Sequence, residues 1–306
     1  MKGKDIISIH DLSREEVIQI LDTAHLLKMK NKIGEIYHPL RGKTLGMIFQ
    51  KASTRTRISF EVAMWQLGGY ALFMSAADLQ LKRGETIADT ARVLCRYLDG
   101  IMIRTYAHRD VLELAEHSTV PVINGLTDLL HPCQVLSDLF TIKEKLGNLQ
   151  GVNLVYIGDG NNMAHSLMFG AAKTGIRLTI CSPSGYEPDK EITALAREDA
   201  LKTGATINLS SDPGEAVKSA DIIYTDVWAS MGQEEEHRKR VEAFAQFQVN
   251  SKLLEQAGDD ALVMHCLPAH RGEEITDDVV DGEKSIVFDQ AENRLHVQKA
   301  ILALVM

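Results

Sequence analysis

Three hydroxyls and two guanidiniums fall within five residues, Ser53-Thr54-Arg55-Thr56-Arg57, just after Ala52. The apolar run Leu45-Gly46-Met47-Ile48-Phe49 precedes them, and a helical pattern of Ile58, Phe60, Ala63, Met64 and Leu67 follows. This pattern predicts a strand that ends, and a helix that begins, on the cluster. The first turn of a helix presents N–H groups without intrahelical partners at the positive end of its dipole. Hydroxyls and arginine forks added to that geometry make a binding site for phosphate. Helix capping accounts for one hydroxyl. It does not account for hydroxyls and arginines packed together, so an anion site is the better reading.

Other chemistry-bearing clusters also follow apolar runs. Arg104 ends Ile101-Met102-Ile103, and His131-Pro132-Cys133-Gln134 lies a loop beyond Val120 to Ile123. Gly158-Asp159-Gly160-Asn161-Asn162 follows Val155-Tyr156-Ile157. Asp226 follows Ile222 to Thr225, with Trp228, Ser230, Met231 and Gly232 just beyond, and His265-Cys266-Leu267-Pro268 follows Leu262-Val263-Met264. In open parallel α/β sheets, ligands bind beyond the carboxyl ends of the strands. Clusters on that edge in both halves of the chain favour a single site between two domains.

Each cluster also has a plainer reading. Gly158-Asp159-Gly160 suggests a dinucleotide turn, but Met163 and Ala164 stand near the place of the third glycine, so a nucleotide cofactor is rejected. His265, Cys266 and His270 do not have the spacing of common structural zinc sites, and no metal is expected. A buried structural thiol is the commoner state for a residue such as Cys266, and no His/Asp relay for it is visible. His131 alone reads equally well as a core histidine. Asp226 reads as a cap or, beside a phosphate site, as a partner for the ammonium of a second substrate. Gln80, Lys82 and Arg83 alone read as a solvated loop.

The elements that must position these residues alternate along the chain. A capping box from Ser13 to Glu16 opens an N-terminal helix. Strands are predicted near 45–49, 70–74, 100–103 and 119–123, with helices near 55–67, 85–98 and 110–116. A second series has strands at 152–157, 176–181, 206–209, 222–225, 262–265 and 286–289, with helices between. Repeated βα units imply parallel sheets covered by helices. A helix from Gln134 to Leu146 reads as an interdomain strut, and an apolar helix from Arg294 to about Met306 closes the chain. The expected architecture is two open parallel-sheet α/β domains joined by interdomain helices, with the active site in the cleft between them. The boundaries are 1–145 and 146–293, with 294–306 packing back on the first domain.

Composition narrows the partners. The 306 residues suffice for two cores, and Lys+Arg 33 against Asp+Glu 42 gives a net charge of −9. That balance disfavours nucleic acid or an anionic membrane. Cys95, Cys133, Cys181 and Cys266 are scattered, as reduced thiols in a cytoplasmic protein would be. No signal core or membrane-spanning segment is present in the sequence, so the expected location is the cytoplasm.

Taken together, these segments resemble the aspartate/ornithine carbamoyltransferase family over essentially the whole chain. Ser53 to Arg57 and His131 to Gln134 are similar to its two carbamoyl-phosphate signatures. Asp226-Val227-Trp228-Ala229-Ser230-Met231-Gly232 resembles the SMG loop of its ornithine-specific members, and His265 to Gly272 resembles their HCLP segment. Ala52 departs from the proline common before the first signature, a change that bears on loop stiffness more than chemistry.

The resemblance implies carbamoyl transfer from carbamoyl phosphate to the δ-amine of L-ornithine, giving L-citrulline and phosphate in arginine metabolism, with no cofactor. It implies that Ser53, Thr54, Arg55 and Thr56 hold the phosphate. Arg104 and His131 would polarise the carbamoyl carbonyl and Gln134 orient its amide. Cys266 and Leu267 would accept from that amide through backbone carbonyls, so that Arg104, His131 and Cys266 form the catalytic set. Arg294 would add charge stabilisation. Gln80 would reach the phosphate of a neighbouring subunit in a homotrimer, and Asn162, Asp226, Ser230 and Met231 would bind ornithine. Domain closure after carbamoyl phosphate binds is expected. Arg57 falls just outside the binding segment and reads as packing or a subunit contact. The rival acceptors are N-acetylornithine, putrescine and lysine; a non-catalytic sensor of either substrate is a reading from another class.

Overall fold

The structure is a computed structural model that describes residues 1–75, 84–229 and 236–306. Gln80, Ser230 and Met231 therefore lie outside the described residues. By its internal contacts the chain forms two compact units, Met1–Phe140 with Asn293–Met306, and Thr141–Glu292.

The first unit opens with α1 (Arg14–Lys32), capped by Ser13 and Glu16 in a reciprocal box. Alternating elements follow: β1 (Thr44–Phe49), α2 (Thr54–Gln66), β2 (Tyr70–Ser75), α3 (Ile87–Leu94), β3 (Gly100–Arg104), α4 (His108–His117), β4 (Val122–Leu126) and α5 (Pro132–Leu146). The strands are all parallel, in the order β2-β1-β3-β4. Ile48, Ile101, Ile103 and Val122 from the sheet pack with Ala91, Val111 and Leu114 from the helices, a core that leaves β3 and β4 buried along their whole length. The strand order reverses direction between β1 and β3. That switch point is where open α/β sheets leave a crevice for ligands.

The second unit contains β5 (Asn153–Ile157), α6 (Asn162–Thr174), β6 (Arg177–Cys181), α7 (Lys190–Ala200), β7 (Thr206–Ser210), α8 (Pro213–Val217), β8 (Ile222–Thr225), α9 (His237–Phe244), α10 (Ser251–Leu254), β9 (Leu262–His265) and α11 (Asp277–Val280). Its parallel sheet runs β7-β6-β5-β8-β9, with the switch point between β5 and β8. Val155, Ile157, Ile223 and Val263 meet a cluster of aromatic residues, in which Trp228 stacks on Phe244 with ring centroids 5.6 Å apart.

The last helix, α12 (Val287–Val305), begins in the second unit and ends in the first, as α5 passes from first to second. Ile286 to Asp289 is therefore not a tenth strand. Only Ser285 bridges Val263, and the Ile286 N–H donates to the Val263 carbonyl at 2.9 Å before the chain turns into α12. An apolar run this short does not distinguish a strand from the buried first turn of a helix. The fourth strand also starts later than the predicted 119. The Ser118 hydroxyl donates to the Val120 carbonyl at 2.7 Å and holds residues 118–120 in a turn. No described helix is long and apolar enough to cross a membrane.

Candidate active site

At the first switch point, Ser53 stands as the N-cap of α2 and its Oγ accepts the Thr56 N–H at 3.2 Å. The Ser53 hydroxyl donates to Thr56 Oγ1 at 3.1 Å, and Arg294 Nη2 donates to the same oxygen at 2.8 Å. Arg294 Nη1 donates to Gln134 Oε1 at 2.9 Å, while Gln134 Nε2 donates to Asp138 Oδ1 at 2.8 Å one helical turn on. Both ends of the Gln134 amide are thereby fixed, so its orientation is set before any ligand arrives. Arg104, at the carboxyl end of β3, lies where the β3–β4 register shifts between Ile103 and Arg104.

His131 is buried among these groups. Burial first, then the charges of Arg294, Arg104, Lys51 and Arg55, push its pKa well below the ordinary histidine value. A neutral imidazole ringed by cations can donate a hydrogen bond but does not become a general acid by protonation. Lys51 is only 5% exposed; its Nζ lies 3.3 Å from Asp128 Oδ1 and 5.1 Å from the centre of the Tyr106 ring. Arg57 belongs to a different environment. It pairs with Glu61 at 3.0 Å and stacks over Phe73 at 3.9 Å.

At the second switch point a carboxylate replaces the cations. Asn161 caps α6, its Oδ1 accepting from Met163 N–H at 2.8 Å, and its Nδ2 donates to Asp226 Oδ2 at 3.2 Å. Asp226 Oδ1 accepts from the Val227 N–H at 2.8 Å and from Cys266 Sγ at 2.9 Å. Asn162, the first residue of α6, is buried beside this cap. Asp159 is drawn two ways: burial raises its pKa, and Arg240, at 2.7 Å, opposes the rise.

The loop after β9 is held from beneath. The Leu267 N–H donates to His265 Nδ1 at 2.8 Å, so the ring proton sits on Nε2 and goes to Glu274 Oε1 at 3.0 Å. The pair is fully buried and supports Leu267, whose φ of 56° lies in the left-handed region rarely adopted by a branched side chain. Cys266 and Leu267 are thus presented on a fixed turn.

Comparison with known proteins agrees with this geometry in both halves. Residues 4–144 match the family described as aspartate/ornithine carbamoyltransferase, carbamoyl-P binding domain, and residues 150–305 match its Asp/Orn binding domain. The chain belongs to the aspartate/ornithine carbamoyltransferase family. It is 59% identical over 306 residues to the ornithine carbamoyltransferase of Oceanobacillus iheyensis, covering 100% of this chain and 95% of that one. The solved ornithine carbamoyltransferase from Pyrococcus furiosus is 58% identical, with a TM-score of 0.97 over 100% of this chain and 97% of that one. The Thermus thermophilus structure of the same name is 39% identical, with a TM-score of 0.89 over 99% of both chains.

For this carbamoyltransferase-family chain, the first unit brings Ser53, Thr56, Gln134 and Arg294 into one hydrogen-bonded cluster, with Arg55, Arg104 and His131 linked to it by charge. Thr54 follows Ser53 at the exposed start of α2. The second unit brings Asp226 and Cys266 together, with Asn162 and Leu267 on adjoining turns. Sequence reasoning passed over Lys51 as a site residue, although it stands in the same strand-end loop as Ser53. Asp138 was readable as the i+4 partner of Gln134. Asn161 and Glu274 carried no signal of their roles, because each works through a neighbour that only the fold supplies.

Proposed function

We propose that the chain transfers the carbamoyl group of carbamoyl phosphate to the δ-amine of L-ornithine, releasing L-citrulline and phosphate. One observation carries the reading: within one family fold, the two switch points hold opposite chemistry, a cation-and-hydroxyl cluster around His131 and a carboxylate at Asp226. The first suits a phosphate dianion and a developing oxyanion; the second suits an α-ammonium.

Ser53, Thr54, Arg55 and Thr56 hold the phosphate at the start of α2. Arg104 and the neutral imidazole of His131 donate to the carbamoyl oxygen, and Gln134 holds the carbamoyl amide. Cys266 and Leu267 contribute backbone carbonyls to that amide, and Arg294 stabilises the charge that leaves with phosphate. Asn162 and Asp226, with Ser230 and Met231, bind the α-carboxylate and α-amino ends of ornithine. The neutral δ-amine attacks the carbamoyl carbon, the C–N bond forms as negative charge gathers on oxygen, and collapse of the tetrahedral intermediate breaks the C–O bond as the surplus proton on the attacking nitrogen passes to the departing phosphate. Positioning and preorganised charge supply the rate.

The α-amino partner at Asp226 favours ornithine over its N-acetylated form, and α-carboxylate binding disfavours putrescine. We include in the proposal a homotrimer, in which Gln80 completes a neighbour's phosphate site. Exposed Ile58, Tyr70, Leu72 and Phe73 on α2 and the edge strand β2 supply an apolar face for such contact. A cytoplasmic setting suits four cysteines none of which is in a disulfide.

The test is purified protein with carbamoyl phosphate and a panel of acceptors: ornithine, N-acetylornithine, putrescine and lysine. Citrulline from ornithine alone is expected. Preference for another acceptor overturns the substrate assignment, and no product from any acceptor favours a binding protein. Light scattering checks the assembly, for which a mass of three chains is expected.

A further inference from the structure

A second group of donor side chains has no substrate role assigned to it. His237, His270 and Glu273 place their ligand atoms within 4.8 Å of one another. His237 Nε2 lies 3.0 Å from Glu273 Oε2, and His270 Nδ1 lies 3.6 Å from the same oxygen. A tetrahedral ion with bonds of about 2.1 Å holds its donors roughly 3.4 Å apart, a value these two separations bracket. Two imidazoles and one carboxylate form a donor set suited to zinc and its neighbours in the first transition row.

The backbone carrying two of these donors is already fixed. The His270 N–H donates to the buried Glu274 Oε1 at 2.6 Å, and the Glu273 N–H donates to the His270 carbonyl at 2.9 Å. Gln248 Nε2 donates to the carbonyls of Gly272 and Glu273, both at 2.9 Å. His237 arrives as the first residue of α9. The neighbouring cation, Arg271, is turned to Asp277 and Asp281 at 2.9 and 2.6 Å, so its charge is matched elsewhere. The plain alternative is a pair of surface His–Glu contacts. Such contacts do not require three donors converging on one point, nor a turn braced from both sides.

We infer that His237, His270 and Glu273 form a binding site for a divalent transition-metal ion such as Zn²⁺. The ion displaces any proton from the two imidazoles, takes Nε2 of His237, Nδ1 of His270 and a carboxylate oxygen of Glu273, and completes its shell with water. It would tie the start of α9 to the turn after β9.

The experiment is equilibrium dialysis of the full chain against Zn²⁺, for wild type, His270→Ala and His237→Gln, with circular dichroism to confirm the fold. The side chains of His237 and His270 are 40% and 44% exposed, so both variants should fold. Each variant is expected to lose one bound ion per chain, or to bind it at least tenfold more weakly. Asp226, His265 and Cys266 form another donor group, and Co²⁺ separates the two. A thiolate complex has a strong sulfur-to-metal band in the near ultraviolet, whereas the complex proposed here has only weak ligand-field bands. Those weak bands should be present in wild type and absent from both variants. Unchanged zinc stoichiometry and affinity in the variants, or cobalt spectra showing thiolate ligation alone, would overturn the assignment.

Discussion

Arg294 and Thr56 are joined by a 2.8 Å hydrogen bond although 238 residues separate them in the chain. The same guanidinium holds Gln134, so the last helix fixes two residues that belong to two different motifs. Arg294→Ala should lower kcat by about a hundredfold, the usual consequence of losing one preorganised donor. Arg294→Lys should recover little, because an ammonium cannot reproduce the fork to Gln134 and Thr56. Steady-state citrulline formation checks this; a kcat within threefold of wild type for the alanine variant would refute the role.

His131 gives a stability prediction with a definite sign. Burial and four neighbouring cations hold its folded-state pKa well below the ordinary value, whereas in the unfolded chain it titrates near 6.5. Below about pH 6.5 the unfolded state therefore binds more protons, and stability rises with pH up to that value before levelling off. The thermal midpoint of wild type should fall as pH drops from 6.5, and His131→Asn should fall less steeply. Parallel midpoint curves for the two proteins would mean that His131 is not held neutral by its surroundings. Activity should show no loss from His131 protonation between pH 7 and 9; it should instead rise with pH as the δ-ammonium, with a pKa of about 10.4 by analogy with lysine, loses its proton.

Cys266 and Asp226 share a 2.9 Å contact, so their substitutions should not be independent. Under the proposed assignment of Asp226 to the ornithine ammonium, Asp226→Asn should raise the KM for ornithine by about a hundredfold while leaving that for carbamoyl phosphate nearly unchanged. Cys266→Ser keeps the donor and should cost less than Cys266→Ala. A double-variant cycle in KM that closes without coupling would show that the thiol does not act through Asp226.

His265 and Glu274 are both fully buried and paired at 3.0 Å. Removing one partner leaves an uncompensated buried group, typically a loss of about 3–5 kcal/mol, whereas replacing both with apolar residues is often nearly neutral. His265→Ala should therefore unfold at a much lower temperature than the His265→Phe/Glu274→Leu double variant. The double variant should still show weakened turnover, because Leu267 loses its acceptor on His265. Equal thermal midpoints in the two proteins would show that the pair does not stabilise the loop.

The strands and most helices were legible because parallel sheets bury both faces and leave long apolar runs, as β3 and β4 do. Ser53 was legible as a cap because it directly precedes a helical pattern, and the place of Asp226 at a strand end because an apolar run leads up to it. The start of α12 was not, since Ile286 and Val287 are apolar neighbours with the same look in a strand or a buried helix. Lys51 was passed over because a lysine after a strand reads as solvated until burial against Tyr106 is seen. The support of Leu267 by His265 and Glu274 depends on a bond from the last residue of β9 to a residue nine positions on, for which sequence has no periodicity.

Arg55 and Arg57 are two positions apart on α2 yet should respond oppositely. Arg55 is close enough to His131 for its charge to lower the pKa of that ring, while Arg57 is occupied by Glu61 and the face of Phe73. Arg55→Ala should raise the KM for carbamoyl phosphate and lower kcat/KM by at least a hundredfold, roughly the effect of losing a charge-assisted phosphate contact. Arg57→Ala should leave that KM within about threefold, because an exposed i,i+4 pair contributes only about 0.3–0.5 kcal/mol and the stacked cation little more. If the trimer forms through the β2 face, Arg57→Ala should instead weaken assembly, measured as mass against protein concentration. Equal losses of kcat/KM in the two variants at a concentration where both are assembled would place Arg57 in the phosphate site after all.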